Sequence, residues 1–145
     1  MKTVNTLIIA TIALLSASIA SAGPVYTKGG LAIDGYDTVA YFTENKAVKG
    51  KSSYTHKWNG ATWQFSSAKN QALFEANPER YAPQYGGHCA WAIAEKNYLF
   101  KIDPERFDFY GGKLYLNYDK STQKKWGKDR AGMIKRGDAN YKKHK

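Results

Sequence analysis

Cys89 is the single cysteine of the 145 residues, and it ends a run of two glycines and a histidine in Tyr85-Gly86-Gly87-His88-Cys89-Ala90-Trp91. A thiolate and an imidazole are the side chains best suited to soft metal ions, and a thiolate is also the nucleophile of thiol redox chemistry. The paired glycines permit positive φ or a close backbone approach. A free cysteine is otherwise a small buried hydrophobe, which is the competing role for Cys89. A structural zinc site takes four ligands, and one Cys with three His rules out a Cys-rich one. Cu(I) accepts two or three soft ligands, so copper comes first, with Cys89, His88 and His56 as the economical set. His144 lies in the terminal tail and is a poorer choice.

Two other readings compete. As a redox centre, Cys89 would stand at a helix N-terminus, where the helix dipole and His88 would lower the thiol pKa. With no second cysteine, turnover would need an external thiol partner. The third reading is a non-catalytic binding or structural module, and an enzyme is less favoured than a binding protein. Gly86, Gly87, Tyr36, Asp37, Tyr85 and Trp91 are candidates to wall a pocket, with Trp58 nearby in sequence pattern. Asp34 and Asp37 are also expected to form turns by bonding their own backbone.

The N-terminus sets the compartment. Lys2 precedes the apolar stretch Leu7 to Leu15, and Ala20-Ser21-Ala22 places small residues where a signal peptidase reads. Residues 1–22 are therefore expected to be a signal peptide, giving a periplasmic or secreted protein. Nothing later is apolar enough to span a bilayer. The formal net charge is +10, and removal of the leader takes away only Lys2. Export and the lack of a recognised motif argue against nucleic acid as partner. The basic surface leaves a weak attraction to anionic surfaces. A lone cysteine makes no internal disulfide, so packing alone must hold the domain.

The elements that would position Cys89 follow from turn and cap signals. Residues 23–33 read as a leader, mobile at first, and Ile33-Asp34-Gly35-Tyr36-Asp37 as a turn. Val39 to Phe42 is a strand or one turn of helix. Asn59-Gly60 between Tyr54–Trp58 and Ala61–Phe65 predicts a hairpin, with Trp63 and Phe65 facing the core. Ser66 or Ser67 caps a helix to about Ala76, which Asn77-Pro78 ends. A short helix starts at Cys89, Tyr98–Ile102 is a strand candidate, and Gly111-Gly112 joins a second hairpin. Asp119 or Ser121 opens a last helix carrying Trp126, Met133, Ile134 and Tyr141, weakened by Gly127, Gly132 and Gly137. The fold class is α+β: two β-hairpins, two or three short helices and a C-terminal helix. The domain runs over 34–141, followed by a basic tail at 142–145.

The span Tyr54–Tyr81, with Trp63-Gln64-Phe65-Ser66-Ser67, Leu73-Phe74 and Asn77-Pro78-Glu79-Arg80-Tyr81, resembles a YHS domain. Asp34 to Phe42, Tyr85 to Ala90 and Gly112 to Tyr118 extend the resemblance to the exported YHS domain-containing (seleno)protein group. The resemblance implies a small α+β unit and metal binding. Metal-type members carry cysteines where this chain has Ala40, Ser66 and Asn70, so their thiolate cage is absent here. Some members place selenocysteine at the position of Cys89, which implies a reactive role for that residue.

Overall fold

The computed structural model describes residues 23–145. The expected signal peptide lies outside the described residues. Six α-helices and two small sheets make up the described part, an α+β arrangement.

Both expected hairpins are present. β3 (Lys51–Trp58) and β4 (Ala61–Phe65) turn at Asn59 and Gly60, both at positive φ as a two-residue turn of this hand requires. Ala61, Trp63 and Phe65 are buried, while Thr62 and Gln64 between them are not, the period-two pattern of a half-buried strand. β5 (Phe107–Tyr110) and β6 (Lys113–Leu116) turn at Gly111-Gly112.

The segment expected to be mobile is instead part of the sheet. β1 (Thr27–Lys28) and β2 (Leu31–Ala32) form a third, minimal hairpin, and Leu31 pairs in parallel with Thr62, giving the order β1-β2-β4-β3. Gly29-Gly30, at positive φ, is the turn signal that makes this possible. The chain is tied further back by Tyr26 N–H donating to Gly86 O over 2.9 Å.

Val39–Phe42 is helical, within α1 (Thr38–Glu44). Ser67 caps α2 (Ala68–Ala76), and Asn77 ends it while capping α3 (Pro78–Tyr81). α4 (Ala90–Lys96) follows Cys89. The last helical stretch breaks into α5 (Lys120–Gly127) and α6 (Arg130–Tyr141), each with its own aspartate cap, Asp119 and Asp129. The tail is not free either, because His144 Nε2 lies 2.8 Å from Asn97 Oδ1.

Tyr98–Ile102 is not a strand. No neighbouring strand is placed to pair with it, and its backbone bonds go to the α4 corner: Tyr98 N–H to Ala92 O, and Cys89 N–H to Phe100 O at 3.0 Å. β propensity without a partner does not make a sheet.

β6 divides the interior. Leu114 and Leu116 face a core containing Tyr41, Trp63, Phe65, Phe74 and Cys89. Tyr115, on the opposite side, joins Tyr85, Ile93, Trp126 and Met133 in a second cluster. The Tyr115 and Trp126 rings lie 5.0 Å apart.

Candidate functional site

Gly86-Gly87 makes a left-handed turn, as the sequence suggested, with φ of 62° and 83°. Tyr85 joins it at φ 59°, an unfavourable conformation for an aromatic residue. A Cβ on Gly87 would lie 2.6 Å from Ile33 Cγ2, and one on Gly86 would collide with the Pro24 carbonyl. Close approach as well as positive φ therefore demands glycine at both places.

Beyond this turn the backbone is extended at His88 (φ −69°, ψ 158°) and near-extended at Cys89 (φ −55°, ψ 115°). Successive side chains on such a backbone leave on opposite sides. The His88 ring goes toward Tyr26, with centroids 5.8 Å apart, while Cys89 enters the main core.

Cys89 is fully buried. Its thiol donates to Asn117 Oδ1 across 3.6 Å, and the same oxygen accepts Trp91 N–H at 3.0 Å. Burial pushes the thiol pKa above its ordinary value. The N–H groups of Ala92, Tyr118 and Trp91 and the Thr122 hydroxyl pull the other way, but burial outweighs them. The lowered pKa expected of a helix-start cysteine is thus corrected: the favourable dipoles are present and too weak. In native protein Cys89 should react with a thiol reagent at least about 100-fold more slowly than in urea-unfolded chain, through local opening alone. Stoichiometric labelling of folded protein within seconds would contradict the burial.

His88 is only 8% exposed, and neither ring nitrogen has a hydrogen-bond partner. Burial lowers its pKa, against the carbonyls of Phe100 and Pro24, which favour a proton without completing a bond. The imidazole is neutral at pH 7, with unused nitrogens. His56 stands apart from this corner. Its Nδ1 lies 3.4 Å from Glu75 Oε1, and its ring packs edge-on to Phe74. Among the described residues no group of three or more His, Cys, Asp or Glu side chains could hold a metal ion. The set Cys89, His88 and His56 is therefore not brought together as three ligands. Of the three, His88 alone keeps both ring nitrogens unpaired, and its ring leaves on the side opposite to the Cys89 thiol.

The remaining pocket candidates scatter. Tyr36 lies beneath Lys49 Nζ, and Trp91 beneath Lys125 Nζ. Tyr85 and Gly86 line a cleft of ≈ 370 Å³ with Trp58, whereas Gly87 is packed on Ile33.

Asp37 is buried and central to α1. Its Oδ1 accepts the N–H groups of Val39 and Ala40 at 2.9 and 3.1 Å, bonding to its own backbone as the sequence suggested, here as the cap of a helix. Its Oδ2 accepts Ser66 N–H at 2.8 Å, Ser66 Oγ–H at 2.7 Å and Asn70 Nδ2–H at 2.8 Å, links across the fold that it did not suggest. Residues 39–85 match the YHS domain family.

The likeness to a YHS domain covers that stretch alone.

No curated protein and no solved structure matches the chain. The matched stretch runs from α1 through α3 and ends at Tyr85, so His56 lies inside it and His88 and Cys89 lie just beyond. Within the matched stretch, Ala40, Ser66 and Asn70 do converge in space. They converge as donors on the Asp37 carboxylate, which binds the helix start, the end of β4 and α2 together. Asn117 is the other residue that sequence reasoning missed. An asparagine after a strand is an ordinary turn signal, and nothing local marks it as partner to Cys89.

Proposed function

We propose that this protein binds one soft metal ion, Cu(I) first, at the corner made by His88 and Cys89, just beyond the stretch that matches a YHS domain. The observation that carries the reading is the buried, neutral His88 with both nitrogens unpaired, one residue before a buried thiol in the chain. An unpaired buried polar group costs about 1–3 kcal/mol, and a ligand role supplies a reason to keep it. The ion would add a soft Lewis-acid centre. His88 would give a nitrogen, and Cys89 a thiolate in exchange for its proton. His56 is left out of the set because Glu75 and Phe74 engage it.

Because the two side chains diverge, capture requires the His88–Cys89 stretch to turn and the thiol to leave Asn117. Uptake is therefore expected to be slower than diffusion. Since the thiol pKa is raised, each ion bound at neutral pH displaces a proton. Affinity should then rise by about tenfold per pH unit, and His88 adds a second competing proton only at acid pH. A thiol redox role is less well supported, because burial keeps the reactive thiolate scarce.

Anaerobic titration against a Cu(I) chelator, at several pH values, tests the reading. One ion per chain is expected, lost in Cys89→Ser, weakened more than tenfold in His88→Gln and unchanged in His56→Gln. Retention by Cys89→Ser, or no uptake by the parent chain, would end it.

A further inference from the structure

The ≈ 370 Å³ cleft is lined by neither His88 nor Cys89 and has a composition of its own. It runs between the β3–β4 turn, the stretch 82–86 and the end of α6, and its size is that of a small-molecule site. Its aromatic walls are fixed in advance. Trp58 packs 5.9 Å from Trp63 and at 88° to Phe74, and the Tyr141 hydroxyl donates to Pro24 O over 2.8 Å. Tyr85 also lines it, held in its strained left-handed conformation while its hydroxyl donates to Asp138 Oδ1 at 3.0 Å. Strain kept in the lining of a cleft marks a site where shape matters more than stability.

The charges decide the ligand class. Lys113, Lys142 and Lys145 face Glu79 and Asp138, three ammonium groups against two carboxylates. The whole chain carries 22 basic to 12 acidic residues, so the cleft is no more cationic than the rest. It is not built to select an anion. Trp58, Trp63, Tyr85 and Tyr141 line it with aromatic side chains, beside carboxylate acceptors, ammonium donors and the amide of Gln84, which serves as both. We propose that the cleft binds a neutral saccharide, a ring whose C–H face stacks on Trp58 or Tyr141 while its hydroxyls bond to Glu79 and Lys113. Neither Glu79 nor Lys113 enters an ion pair among the described residues.

Cellobiose, maltose and chitobiose serve as probes, with 2-naphthoate and 2-naphthylmethylamine as charged aromatic controls, read by amide NMR shifts and tryptophan fluorescence. At least one disaccharide should bind with a dissociation constant on the order of 1 mM. Its shifts should centre on Trp58, Asn59, Tyr85, Gly86 and Tyr141. Glu79→Ala and Lys113→Ala, both at exposed positions, should each weaken it by about 2–10-fold with the fold unchanged. Absence of shifts for all three disaccharides at 20-fold that concentration (about 20 mM) would overturn the proposal. Tighter binding of either charged control at the same residues would overturn it equally.

Discussion

Replacing Asp37 by alanine is expected to destabilise the protein by about 3–5 kcal/mol, a large share of a small domain's stability. The side chain is fully buried and accepts five hydrogen bonds, two from the first turn of α1 and three from Ser66 and Asn70. Alanine leaves those donors facing one another in an apolar interior, where an unmet donor costs about 1–3 kcal/mol and water re-enters only in part. Asparagine is expected to be intermediate, because its amide keeps one accepting oxygen while its NH2 group meets the other set of donors with a donor. Urea unfolding monitored by circular dichroism gives the free energy directly, and thermal unfolding should show a fall in melting temperature on the order of 10–20 °C for the alanine variant. A change below about 1 kcal/mol would mean that the network is decoration.

The second large effect is expected at Gly86. Alanine there meets a φ of 62°, which strains any L residue by about 1–2 kcal/mol, and its Cβ collides with the Pro24 carbonyl. The backbone at that point also accepts from Tyr26 N–H, so relief by movement breaks the tie that holds the N-terminal segment. A loss of about 2–5 kcal/mol is expected from strain and overpacking together. Gly111 is the matched control, since its φ is 58° but no atom lies within 4 Å of the place an alanine Cβ would take. Gly111→Ala should lose only the strain, about 1–2 kcal/mol. Equal effects at the two glycines would show that conformation, and not the close approach of Pro24, makes Gly86 necessary.

The legible parts of this fold were those whose signal is local. Asn59-Gly60 and Gly111-Gly112 carry their turn geometry in two residues, Ser67 and Asp119 cap the helices that follow them, and Asn77-Pro78 ends one. Gly29-Gly30 carried the same kind of signal, but flanking strands of two residues each show no alternation to read. Tyr98–Ile102 has strand-like residues and no partner, a lack that only the tertiary structure decides. The Asp37 network joins positions 29 and 33 residues apart, so its bonding to its own backbone was readable and its cross-links were not. For Cys89 the run of glycines and histidine identified the turn correctly. The sign of the thiol's pKa shift was missed, because desolvation depends on the Leu114–Asn117 strand packed over it and not on its sequence neighbours.

The account of the metal corner rests on sulfur and imidazole serving one soft ion. X-ray absorption at the copper edge of anaerobically loaded protein tests this most directly. The account predicts a low-coordinate Cu(I) spectrum with one sulfur and one imidazole nitrogen, the sulfur shell vanishing in Cys89→Ser and the imidazole signature in His88→Gln. A spectrum of oxygen and nitrogen alone, the same in parent and Cys89→Ser protein, would contradict it.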